Sequence, residues 1–206
     1  MKILDFEEFD KIHGHLQIER VWKDPSKENE ILFDDHNVIT SGMGVGLSML
    51  FTLSGSDNIT DYQFDRFQVG VSGGALNEVS STFQLSGPLS AVDEYESDAT
   101  RLLVVEGDQL ANGSIINSQA FGMIPFKNVT RINDTSVRYT IVLDDEACNG
   151  INRPGVNNDD LNEIGLFMKN PAGHQDTQSI LCAYRAFSNI TKTNEFSLVF
   201  RWTLNF

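Results

Sequence analysis

Residues 40–56, TSGMGVGLSMLFTLSGS, crowd four glycines into an apolar stretch that follows a strand-like run, ILFDDHNVIT. Strand, glycine-rich turn and helix outline a phosphate-binding loop, where backbone N–H groups at a helix start cradle an anion. The residues that chemistry needs are missing. Gly42, Gly44 and Gly46 give G-x-G-x-G, but the dinucleotide fingerprint wants its third glycine where Leu47 stands. A triphosphate loop requires Gly-Lys-Ser/Thr, and no lysine occurs between Lys27 and Lys127. Each glycine in a helix costs about 1 kcal/mol relative to alanine. The expectation is therefore a helix pressed onto a sheet, with Gly44 and Gly46 at the contact and Thr40 or Ser41 as N-cap.

Metal chemistry is the next candidate. His13-x-His15-x-x-x-Glu19 resembles the first half of a cupin metal site, since alternate residues on a strand share a face. The glycine ahead of the histidines is absent, and Pro171-Ala-Gly-His174 does not supply the second half. Asp34-Asp35-His36, just before the helix, reads as turn and cap chemistry. Asp144, Asp145, Glu146, Asp159 and Asp160 share one acidic stretch but lack the EF-hand order. Nucleophilic chemistry has no G-x-S-x-G, and neither Cys148 nor Cys182 neighbours a histidine. Cys182 shares a strand face with Ile180 and Tyr184, as a small core residue does. Acids are abundant, yet no pair stands out for glycoside hydrolysis. The expectation is a non-enzymatic protein with no cofactor and no metal.

The bulk composition narrows the partners. A formal net charge of -14 repels nucleic acid and anionic membranes, and lysines and arginines are scattered singly, so neither is an expected partner. No run of eighteen apolar residues occurs, and the N-terminal stretch MKILDFEEFDKIHGH is too acidic for a secretory signal. Two cysteines without metal spacing fit a reduced pair made in a cytoplasm.

The elements that must position any site are strands. In NEFSLVFRWTLNF, Phe196, Leu198, Phe200, Trp202, Leu204 and Phe206 alternate with mostly polar residues, the signature of a sheet with one buried face. SVRYTIVLD repeats the pattern through Val137, Tyr139, Ile141 and Leu143. ILCAYRAF, EIGLFMK, RLLVVEG, FDRFQVGV and HLQIERVW are further strands. The polar stretch 23–30 joins two of them, which makes 15–40 a hairpin. Strands 162–169, 180–187 and 196–206 are expected as a meander, with 137–143 beside it, and Glu163 is placed to pair with Lys192 or Arg185. Only one segment has helical spacing: Met43, Leu47, Leu50 and Phe51 mark one apolar face of a short helix near 43–53. The fold expected is mainly β, an antiparallel, jelly-roll-like sandwich over 15–206, with 1–14 an N-terminal arm or short helix.

Three segments taken together resemble small virion structural proteins of tailed bacteriophages, of the marine and cyanophage type. They are ILFDDHNVITSGMGVGLSMLF, DYQFDRFQVGVSGG, and LNEIGLFMKN followed by ILCAYRAFSNITKTNEFSLVFRWTLNF. The resemblance implies synthesis in a bacterial cytoplasm, a place in the virion, and partners among other virion proteins and copies of the chain itself. It implies no catalytic residues. Closed symmetry covers strand edges, so a homo-oligomer, a trimer or a ring, is expected. A tail, neck or baseplate position, or a socket for fibres, is the first expectation, and a capsid decoration protein is the second. A carbohydrate-binding module is a further alternative, with Trp22, Tyr62 or Tyr95 as platforms. The assembly contacts are expected in the loops 144–162 and 169–179 and in the arm. The residues are Asp144, Asp145, Asn149, Arg153, Asn157, Asp159, Lys169, His174, Gln175, Lys2, Phe6 and Phe9.

Overall fold

The structure, a computed structural model, describes residues 12–53, 55, 58–70, 103–104, 122–149, 160–168 and 180–206. Its centre is the strand pair with the clearest alternation. β1 (His13–Trp22) and β10 (Phe196–Asn205) run antiparallel over their full lengths, with His13 opposite Asn205 and Trp22 opposite Phe196. β2 (Glu30–Ile39) returns along the other side of β1, so the hairpin expected over 15–40 is present. Asp24 closes its turn by accepting bonds from the Ser26 amide and hydroxyl at 2.9 and 2.7 Å. β7 (Ser136–Leu143) pairs with the free side of β10, and β6 (Val129–Asn133) with β7.

The second half begins where β2 ends. Val38 and Ile39 pair with Tyr184 and Ala183 of β9 (Ile180–Ile190). β9 pairs with β8 (Leu161–Met168), and β8 with β3 (Phe64–Gly70). Two short strands, β4 (Leu103–Val104) and β5 (Gly122–Met123), lie along the far side of β3. The strand order is β4-β3-β8-β9-β2-β1-β10-β7-β6, all antiparallel, and the sheet curls into a half-barrel. The mainly β, sandwich-like fold expected from the sequence is therefore present, and its two layers belong to one continuous sheet. Ring contacts span the interior: Phe187 of β9 lies 6.3 Å from Phe200 of β10, and Phe64 of β3 lies 5.9 Å from Tyr139 of β7.

The expected meander is corrected. β8 and β9 do pair, but β10 does not follow β9 in space. The β1–β2 hairpin inserts between them, because β1 offers β10 a full-length partner with matching buried faces. Leu16 and Ile18 meet Trp202 and Phe200 there, all without solvent contact. The Trp202 ring is core, as its register predicts, while its Nε1–H finds no acceptor among the described residues. Both faces of β8 are buried along its whole length. Gly165 permits this: a Cβ there would lie 2.7 Å from Leu181 Cδ1 and 2.8 Å from Phe167 Cε2.

The helix α1 (Ser41–Phe51) starts two residues earlier than its apolar spacing suggests. Thr40 holds the N-cap position in an extended conformation, but its side chain caps nothing. Its hydroxyl donates to the carbonyl of Leu181 and its amide to that of Cys182, so Thr40 ties the helix start to β9. The glycine contact is also corrected. Gly42 and Gly46 face the sheet, and Gly44 faces open space. A Cβ on Gly42 would fall 2.1 Å from the Leu181 carbonyl oxygen, and one on Gly46 would fall 2.6 Å from Met168 Cε. Residues four apart share a helix face, whereas residues two apart stand about 200° round from each other, so Gly44 and Gly46 cannot both touch one sheet.

Candidate functional site

The histidines of the cupin-like motif lie on the outer surface of the β1–β2 hairpin. His15 Nε2 sits 2.7 Å from Asp34 Oδ1, and its ring meets His36 edge-on at 6.0 Å. Glu19, four residues on, is held by Arg201 at 2.6 Å instead of turning toward the histidines. Asp34, Asp35 and His36 form no cap; they are strand residues of β2. Asp35 accepts from the His36 amide and from Arg185 Nη2, both at 2.7 Å, and these donors hold its carboxyl below the usual range. Among the described residues no three His, Cys, Asp or Glu side chains converge as metal ligands.

Of the residues expected to make assembly contacts, Asp144, Asp145 and Asn149 are described, and all three serve the fold. Asp144 Oδ1 accepts from the amides of Glu146 and Ala147, each at 3.0 Å. Asp145 pairs with Lys23, which lowers the carboxyl's pKa and raises the amine's. Asn149 Oδ1 accepts from Lys192 Nζ at 3.0 Å, and its amide donates to the Asp145 carbonyl at 2.6 Å. Lys192 is only 2% exposed; its amine also donates to the Thr193 carbonyl, and burial lowers its pKa. Cys148, at φ 58°, bends the backbone between them; its thiol and that of Cys182 are buried and form no disulfide. Arg153, Asn157, Asp159, Lys169, His174, Gln175, Lys2, Phe6 and Phe9 lie outside the described residues.

Glu163 does receive a donor across the sheet, but from Tyr184 Oη at 2.9 Å. Register explains the correction. Tyr184 faces Gly165, two residues from Glu163 and on the same side, whereas Arg185 faces Ile164 and so stands on the other side. Lys192 is committed to Asn149 and Thr193. Of the carbohydrate platforms, Trp22 packs edge-on against Phe196 at 5.4 Å, with Lys27 Nζ 4.2 Å and Arg20 5.2 Å from its ring centre. Tyr95 lies outside the described residues, and Tyr62 belongs to another feature.

That feature is an apolar cleft of about 500 Å³ at one end of the half-barrel. The helix gives it Leu47 and Leu50, three residues apart on one face. β7 gives Val137 and Tyr139, alternate residues of one strand face, and β8 ends there with Met168. The chain enters β3 through a 3-10 turn, Ile59–Tyr62, and supplies Tyr62, Gln63, Phe64 and Asp65. A second 3-10 turn, Phe126–Asn128, carries the chain from the β3 edge to β6 and sets Phe126 at the mouth, beside Ile124 and Val129. Phe206, fixed by its amide to the Thr135 carbonyl at 2.8 Å, completes the wall.

Asp65 is the one charged residue among the described residues lining the cleft, and Arg66 Nε donates to it at 2.8 Å. Burial pushes the Tyr139 phenol far above its usual range, so it stays protonated in ordinary buffers. The arrangement suits burial of an apolar group, with two phenols, an amide and a paired carboxylate for orientation. The sequence pointed elsewhere for two of these side chains. Phe206 was expected on the buried face of the last strand and is 44% exposed, one residue beyond β10. Phe51 was expected on the buried face of the helix and is 84% exposed, next to the cleft residue Leu50. The signal for an uncovered face was present: Met43, Val45, Leu47, Met49, Leu50 and Phe51 put apolar side chains around α1 everywhere but on the Gly44–Ser48 side, more than one sheet contact can cover. No protein-family model, curated protein or solved structure matches the chain.

Proposed function

We propose that this chain is a non-enzymatic structural component of a tailed-bacteriophage virion, acting through contacts with copies of itself and with other virion proteins. The observation that carries the reading is the apolar surface left uncovered around the cleft. Phe51 and Phe126 are 84% and 82% exposed, and Met123 is 57% exposed. Exposed apolar surface gathered beside a cleft is a feature of proteins that meet partners. The resemblance of the segments now seen as β2–α1, β3 and β8 to β10 supports the same reading. A tail, neck or baseplate position, including fibre attachment, is the favoured place.

Cross-linking mass spectrometry on intact particles tests it. Links from this chain to tail, neck or baseplate proteins are expected. Links to the major capsid protein alone would move it to the head as a decoration protein. Absence of the chain from purified particles would overturn the virion reading.

A further inference from the structure

The cleft and the exposed side chains beside it lie next to each other along the chain. Phe51 follows the lining residue Leu50, Met123 precedes Ile124, and Phe126 both lines the mouth and projects from it. A knob and a hole on one face are what a two-fold contact requires, because the rotation that brings one copy's knob to its partner's hole returns the favour. Charge points to the same occupant. A chain of net charge -14 repels its own copies over most of its surface. Among the described residues that line the cleft Asp65 alone is charged, and Arg66 pairs with it, so the described walls of two copies meet there with little like-charge opposition. Phe51 and Phe126 together present roughly 300 Å² of aromatic surface, somewhat over a third of the ~800 Å² per partner that a stable pair buries.

We propose that two copies of this chain pair through the cleft face, each inserting Phe126 into the mouth of the other's cleft, with Phe51 packing at the rim. The pairing rests on the reading of the chain as an assembly subunit and names that subunit's first partner as its own copy. It leaves the β6 edge, where Thr130 to Asn133 are exposed, for contacts with further proteins.

Sedimentation of the purified full chain over a concentration series tests the pairing. A dimer is expected. Phe126→Asp places an acid in the partner's apolar cleft, and it is expected to weaken the dimer by roughly 30-fold or more, the loss of a hot-spot aromatic. Ile31→Ser, also an exposed apolar site but near the hairpin turn of β1 and β2, is expected to leave it unchanged. Should Phe126→Asp lose its β-sheet circular-dichroism signal, Phe126→Ser read in the same way decides. A wild-type chain that stays monomeric up to about 100 μM, a trimer, or a dimer equally tight with Phe126→Asp would each overturn the pairing. Particle cross-linking is scored separately: a monomer that still links to tail proteins overturns the pairing alone.

Discussion

At the residue scale, α1 separates three glycines that look alike in the sequence. Gly44 faces open space, so Gly44→Ala is expected to stabilise the chain by up to about 1 kcal/mol, the helix propensity gained. Gly42→Ala drives a methyl against the Leu181 carbonyl oxygen, a backbone atom that cannot turn aside, and is expected to cost more than any propensity gain returns, roughly 2–3 kcal/mol. Gly46→Ala meets only the end of the Met168 side chain, which has three rotatable bonds, so its effect should fall between the two. Urea unfolding of the three variants checks the order. An equal loss at all three positions would mean that the helix does not pack on the sheet through Gly42 and Gly46. The sequence shows that glycine is there for close packing, because lysine and fingerprint spacing are both missing. It misassigns which glycines touch, because Gly44 and Gly46, two apart, stand on opposite sides of the helix, whereas Gly42 and Gly46, four apart, share the face that meets the sheet.

At the element scale, alternation makes β1, β7 and β10 legible, because one face of each is core and the other carries polar or charged groups. β8 shows where that signal fails. LNEIGLFM contains Asn162 and Glu163, yet all eight residues are buried, and Tyr184 on β9 is part of what makes the Glu163 carboxylate tolerable there. Tyr184→Phe keeps the ring and removes the donor, so a loss of about 1–3 kcal/mol is expected, the cost of taking a partner from a buried acceptor. A double mutant with Glu163→Gln should lose less than the sum of the two single changes. Strict additivity in thermal unfolding would mean that the hydroxyl and the carboxylate do not act as a pair. Neighbour order is the part that sequence spacing does not carry. The β1–β2 hairpin sits 140 residues before β9 and still separates it from β10, a non-local pairing set by matching faces and not by chain proximity. The cleft escapes for the same reason, since its walls come from α1, β3, β6, β7, β8 and the residue after β10.

At the scale of the whole molecule, the curl depends on a narrow seam. Backbone pairing between the two halves of the sheet runs through β2 and β9 at Val38–Tyr184 and Ile39–Ala183, and the Asp35–Arg185 ion pair and the Thr40 bonds stand beside it. Two other aspartates tie down chain connections: Asp24 in the β1–β2 turn, and Asp145 where the 144–149 segment meets Lys23. In each case the folded protein holds the carboxyl below its ordinary 3.8: Asp24 through the Ser26 hydroxyl and amide, Asp35 through the His36 amide and Arg185, Asp145 through Lys23. The unfolded chain therefore binds these protons first as pH falls, and the stability they contribute is present above 3.8 and is lost as pH drops through the lower folded values. Net charge acts in the opposite direction at first, because proton uptake relieves the self-repulsion of a chain at -14. The thermal midpoint should accordingly hold or rise from pH 7 toward pH ~5 and fall steeply below pH ~4. These carboxylates are exposed, so each supplies only a fraction of the drop. Asp35→Asn is expected to lower the midpoint at pH 7 and to shallow the fall below pH ~4, since the variant has already lost the charge that acid removes. Amide exchange should locate the weakness. Thr40, whose N–H reaches across the seam to the Cys182 carbonyl, should lose protection in acid before Ile18 and Phe200 in the centre of β1 and β10 do. Simultaneous loss at all three amides would mean that the two halves unfold as one unit and that the seam is no weaker than the strands it joins.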